Sequence, residues 1–166
     1  MLKKILLVSV LLQTAAYGTG KIPEPIKAPE GQQAFLSVHA KGDQIYQCSL
    51  NHGKYAWEAK APDALLFNDH WQVVGKHYSG PIWEYKAGSR VVGRIVKKLD
   101  VSDKAIAWLL VEVVEHKGKD FFADAKFINR INTQGGLPPT SGCDGNHLGN
   151  EKRVAYEADY VFFKKP

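Results

Sequence analysis

The chain has only two cysteines, Cys48 and Cys143, in 166 residues, and no Cys-x-x-Cys spacing. A redox-active dithiol is therefore not indicated, and two cysteines without clustered histidines fit a zinc site poorly. Also missing are a Gly-x-Ser-x-Gly elbow, a His-Glu-x-x-His pair, a phosphate-binding glycine loop and an EF-hand loop. These absences set aside the enzyme classes that announce themselves locally, but not a site assembled across strands. Charge never clusters by sign: Lys97-Lys98 and Lys164-Lys165 are isolated pairs, and Asp120 and Asp124 sit beside Lys119 and Lys126. With no basic stripe, nucleic acid is not an expected partner. Internal repeats and low-complexity tracts are absent as well.

What is present begins with a leader. Lys3 and Lys4 precede an apolar run over residues 5–12 and then Thr14, Ala15 and Ala16, the layout of a secretory signal peptide over residues 1–18. The run is too short to span a bilayer, so no stable membrane span is expected after cleavage. The expected location is outside the cytoplasm, periplasmic or secreted. The 22 basic and 17 acidic residues lose two lysines with the leader, leaving a small positive excess. In an exported chain Cys48 and Cys143 are expected to form a disulfide tying an early strand to a late, turn-rich segment.

Residues 19–31 carry Pro23, Pro25 and Pro29 among charged residues and read as an extended arm or tether. Residues 32–166, roughly 135 of them, have the size of one domain with one core, and a monomer is expected. Period-two alternation marks residues 32–40 and 44–50 as strands, with Lys41-Gly42-Asp43 as the turn between them. On the second strand Tyr46, Cys48 and Leu50 share a face, so Cys48 points inward. A third strand starts at Tyr55, and Pro62 with Asp63 suggests a short helix near residues 62–67. Further strands are read over residues 90–99, 105–115, 121–132 and 154–163, the second of these buried on both faces. The fold class is all-β, one antiparallel β-barrel or β-sandwich of about seven or eight strands.

The candidate site starts from Gly75-Lys76-His77-Tyr78-Ser79-Gly80-Pro81-Ile82-Trp83, a shaped corner between strands that displays polar groups. His77, Tyr78 and Trp83 are its candidate ligand-binding residues. Arg130, Asn132 and Gln134, before the glycine pair at 135–136, form the second set, because alternation puts arginine and an amide on one face, where they can hold a carboxylate, phosphate or sugar hydroxyl. The competing reading of Arg130 is an ion pair with Asp159 or Glu157. His39 is the strand-borne partner available to His77 as a metal ligand, while His52, His70, His116 and His147 all fall in turns. No metal or other cofactor is expected. Trp71, in the turn at residues 68–71, is expected to be exposed.

Several stretches together carry a resemblance: Pro29-Glu30-Gly31-Gln32, His39-Ala40-Lys41-Gly42, Gln44-Ile45-Tyr46-Gln47-Cys48, the corner at 75–84, and Gly88-Ser89-Arg90-Val91-Val92-Gly93. They continue in Ala107-Trp108-Leu109-Leu110, Ile131-Asn132-Thr133-Gln134-Gly135-Gly136, Gly142-Cys143-Asp144 and Tyr156-Glu157-Ala158-Asp159-Tyr160. In this order they resemble the secreted proteins grouped as the domain of unknown function 3455 family, over about residues 29–163. The resemblance implies export and one domain, and carries no activity or catalytic residues. Three readings follow: a non-enzymatic binder of a small molecule, glycan or envelope component; a metal-dependent or hydrolytic enzyme using His77, His39, Asp144 and Arg130; and a structural surface protein without a ligand site.

Overall fold

The structure, a computed structural model, describes residues 21–119 and 121–166. The leader read over residues 1–18 lies outside the described residues. Eight strands follow in chain order: β1 (Gln33–Asn51), β2 (Lys54–Phe67), β3 (Val73–Tyr78), β4 (Ile82–Tyr85), β5 (Arg90–Leu99), β6 (Trp108–Lys117), β7 (Phe127–Gly135) and β8 (Glu151–Lys164). Each pairs antiparallel with the next, and β8 returns to β1, so the all-β sheet closes into a barrel. Two 3-10 turns, Glu24–Ile26 and Phe121–Asp124, are the helical pieces among the described residues. In such a meander the links alternate between two ends, with β2–β3, β4–β5 and β6–β7 at one and β1–β2, β3–β4, β5–β6 and β7–β8 at the other.

Alternation fills the interior. Val38, Ala40, Gln44, Tyr46 and Cys48 point inward from β1, and Tyr156, Ala158, Tyr160 and Phe162 from β8. The end carrying the β6–β7 link is plugged, because the Phe121–Asp124 turn drives Phe122 inward to stack on Phe162 with ring centroids 4.5 Å apart. Fully burying such a side chain contributes about 1.5–3 kcal/mol.

The strand boundaries differ from the sequence reading in several places. Residues 41–43 are not a turn: β1 runs through them, with Lys41 paired to Glu157 and Asp43 to Arg153 across the β8 edge. Gly42 serves a close approach instead, since a Cβ there would meet the Asp63 carbonyl oxygen at 2.2 Å. Residues 62–67 are strand, not helix, and Pro62 is tolerated because β3 pairs only with residues 64–67, leaving β2 one neighbour at that point. Residues 121–126 are the plug rather than strand, and β6 begins at Trp108 instead of 105. His116 accordingly lies in β6 rather than in a turn, its Nε2 2.6 Å from the Ala125 carbonyl oxygen.

The arm also packs more closely than its composition suggests. Ile26 is fully buried on the outside of the wall among Leu110, Ile131, Val161 and Phe163. Asn129 fastens it there, its Nδ2 donating to the Ile26 carbonyl at 2.7 Å and the Leu109 carbonyl at 3.0 Å. That cover buries both faces of β6: Leu109 and Val111 face the barrel core, and Leu110 faces the arm. Cys48 and Cys143 form the disulfide, closing 95 residues and fixing the long β7–β8 link against β1. Backbone bonds from Cys48 N to Asn150 O and from Gly149 N to Cys48 O, both 2.9 Å, hold the same link.

Candidate functional site

The corner at residues 75–83 is a hairpin. β3 and β4 flank the turn at residues 79–81, and their register sets His77 directly opposite Trp83. Both side chains point into the barrel, where the rings stack with centroids 4.1 Å apart and planes 14° from parallel. Tyr160, inward from β8, presents its ring to both, at 5.1 Å from His77 and 5.4 Å from Trp83. Gly93 leaves the space this needs, since a Cβ there would come within 2.7 Å of the Trp83 ring.

His77 is buried, and its Nδ1 lies 2.8 Å from the Ile82 carbonyl oxygen. A carbonyl only accepts, so Nδ1 carries the proton and Nε2 keeps its lone pair. Burial lowers the imidazole pKa from 6.5 to about 3; the Ile82 bond opposes this and the Arg130 charge adds to it. His77 is thus neutral near pH 7, an acceptor at Nε2 rather than a cation.

Arg130 enters the interior from β7, where it pairs with Leu109 on one side and Tyr160 on the other. Its Nε and Nη2 donate to the Ala107 carbonyl oxygen at 3.0 and 2.8 Å. Ala107 is held in place by its own neighbourhood: Thr133 Oγ1 donates to the Ile106 carbonyl at 2.6 Å, and Ile106 N donates to Gly135 O at 2.9 Å. The expected ion pair with Asp159 or Glu157 does not form. Asp159 bonds His39 and Asn132 on the outer face, and Glu157 bonds Lys41. Among the described residues no carboxylate lies within ion-pair distance of Arg130.

A cavity of about 360 Å³ opens above this group. His77, Trp83 and Tyr160 form an aromatic floor, Ile95, Ile106, Leu109, Val111 and Leu137 supply apolar walls, and Arg130, Gln44 and Tyr46 add polar groups. Pro81, Leu137, Pro138, Lys98 and Asp100 set the mouth at the end carrying the β3–β4, β5–β6 and β7–β8 links. Burial raises the phenol pKa values of Tyr46, Tyr156 and Tyr160 despite the opposing charge of Arg130, so these hydroxyls stay protonated. Tyr46 donates to the Gly136 carbonyl, and the Tyr156 and Tyr160 hydroxyls lie 3.4 Å apart. Trp83 Nε1–H is buried without a hydrogen-bond partner among the described residues.

The two candidate segments therefore meet through His77, Trp83 and Arg130. The other candidates lie outside the barrel. Tyr78 donates to Glu84 Oε2 at 2.6 Å, and Gln134 lines a shallow surface groove with Lys41 and Glu157. A register shift between Ile131 and Gln134, with Asn132 at φ +51°, breaks the alternation expected to put Arg130 and Asn132 on one face; Asn132 Nδ2 instead donates to Asp159 Oδ2 at 2.7 Å. His39 is also outside, with Nδ1 2.6 Å from Asp159 Oδ1, Nε2 3.5 Å from Asp69 Oδ1, and Trp71 stacked on it at 5.3 Å. His39 and His77 thus face opposite sides of the wall. Asp144 is exposed and accepts from His147 Nδ1 and Asn146 N, which hold its carboxyl below the usual range, the His147 bond most of all.

Gln44, Tyr46 and Tyr160 belong to the cavity but were not among the sequence candidates. The signal for Tyr46 is the alternation that sets it on one face with Cys48, which reads as core packing, and Tyr160 falls in the strand read over residues 154–163. A family model described as "Protein of unknown function (DUF3455)" matches residues 29–164. No curated protein and no solved structure matches the chain.

Proposed function

The chain belongs to the DUF3455 family of proteins of unknown function, and we propose that it is an exported, non-enzymatic barrel that binds a small organic molecule in its interior. The observation that carries this reading is a cavity of about 360 Å³ whose lining sets one guanidinium, Arg130, beside the aromatic rings of His77, Trp83 and Tyr160. The volume falls in the range of small-molecule pockets, and eight strands is the barrel size that can hold one small ligand. The lining also supports binding over catalysis. Its one histidine is neutral and stacked on tryptophan, and among the described residues no nucleophile is hydrogen-bonded to it. The Cys48–Cys143 disulfide is compatible with an oxidising, extracytoplasmic compartment.

The test is a thermal-shift screen of small acids, sugars and metal ions, followed by tryptophan fluorescence on each hit. A true ligand raises the melting temperature and perturbs emission, and Trp83→Phe weakens it while the variant stays folded. Hits indifferent to Trp83→Phe would place binding elsewhere and remove the reading.

A further inference from the structure

We infer that the interior selects a small monoanion with an apolar body, a carboxylate seated on Arg130 and its hydrocarbon part against the aromatic floor and aliphatic walls. This rests on the cavity being a ligand site. The charge balance of the lining sets the sign and the number. Three charged side chains border the cavity, and two of them, Lys98 and Asp100, pair with each other at 3.3 Å at the mouth. Arg130 is left as one positive charge without a carboxylate partner among the described residues, half-buried beside two neutral groups, the Ala107 carbonyl and the Tyr160 hydroxyl.

The geometry of that bond matters. Nε and Nη2 converge on one oxygen, Ala107 O, so the outer edge of the guanidinium, one hydrogen on Nη1 and one on Nη2, faces no carboxylate among the described residues. That is the pair of donors a carboxylate takes side by side. Ala107 O also fixes the guanidinium plane before any ligand arrives, which lowers the ordering cost of binding. Every uncommitted donor here favours an acceptor, and His77 Nε2 is the neutral acceptor left for a ligand hydroxyl or N–H. The apolar walls then disfavour a fully hydrated polyanion, which would lose its water without gaining a second cation.

The test compares acid, primary amide and alcohol on two skeletons, 3-phenylpropionate and heptanoate, by calorimetric titration of the mature chain at neutral pH. At least one acid is expected to bind roughly 10- to 100-fold tighter than its amide and alcohol, the worth of hydrogen bonds to a charged group. Arg130→Gln is expected to abolish that preference while leaving weak binding of all three. Arg130→Lys keeps the charge without the fork and is expected to retain part of the preference, which separates charge recognition from folding damage. Equal binding of acid, amide and alcohol, or an acid preference that survives in Arg130→Gln, overturns the anion assignment but leaves the cavity as a ligand site. If no acid binds but a neutral congener does and Trp83→Phe weakens it, the anion assignment again falls alone. Absence of binding by all six compounds overturns it too, and a silent Trp83 throughout the thermal-shift screen removes the cavity reading beneath it.

Discussion

Two clusters in this protein are built from the same parts and behave oppositely. Inside the barrel, His77 stacks on Trp83 with Tyr160 at their edge; outside it, near the β2–β3 link, His39 stacks on Trp71 with Phe67 tilted against the indole. Trp83 is 2% exposed and Trp71 62%. The inner histidine answers to a backbone carbonyl and is held neutral; the outer one touches two carboxylates, Asp159 and Asp69. Residue type therefore does not decide what a His–Trp pair does. Which side of the barrel wall it faces does, because burial penalises the charged form inside and water screens the ion pairs outside.

The largest difference expected between the two regions comes from the crosslink at the cavity end. The Cys48–Cys143 bridge closes 95 residues, and the link it pins also accepts a hydrogen bond from Trp57 Nε1 at Ser141 O, 2.8 Å away. Replacing both cysteines by serine is expected to cost about 4–5 kcal/mol by the loop-closure model, read by chemical denaturation. Thiol titration of the denatured, unreduced protein should find no free thiol; two would contradict the bridge. Next comes truncation of the two tryptophans. Trp83→Ala empties a closely packed interior and should cost about 3–5 kcal/mol, whereas Trp71→Ala, at an exposed turn with φ +57°, should stay within about 1 kcal/mol. Equal losses would mean that the outer stack is as structural as the inner one.

Acid sharpens the contrast further. The His77 pKa is lower in the folded chain than in the unfolded one, so the unfolded chain takes up the proton first. Its contribution is complete above pH 6.5 and is lost as pH falls from 6.5 towards about 3. At pH 5 the loss should be about 2 kcal/mol. His77→Phe keeps an aromatic ring on Trp83 but cannot titrate, so its stability should fall less between pH 7 and pH 5 than that of the unaltered chain. It should also start lower, since the Ile82 carbonyl loses its donor. An unchanged acid dependence in His77→Phe would show that His77 is not the group responsible.

Legibility in the sequence tracked how local each cause is. Strand alternation gave the all-β class and the inward Cys48, and turn chemistry at residues 68–71 the exposed Trp71, because both are properties of neighbouring residues. Lys41-Gly42-Asp43 and Pro62 misled for the same reason: turn and helix chemistry were read from a few residues, while β8 and β2 packing against β1 decided both points. At the site, His77, Trp83 and Arg130 were identifiable as unusual, but their meeting depends on barrel closure, which joins residues far apart in the chain. Asn132 left the inner face through a register shift that no spacing rule announces.

The smallest effect belongs to the outer histidine. His39→Gln removes the contacts to Asp159 Oδ1 and Asp69 Oδ1 and the ring beneath Trp71. Asp159 is not orphaned, since Asn132 Nδ2 still donates to its other oxygen at 2.7 Å. Partly exposed ion pairs are worth about 0–1 kcal/mol, so the unfolding free energy from denaturation should fall by less than about 1 kcal/mol and the interior should be untouched. The sharper readout is therefore on binding: a ligand found through Trp83 fluorescence should bind His39→Gln with unchanged affinity. A loss there would mean that the two faces of the wall are coupled, and that the outer stack belongs to the site.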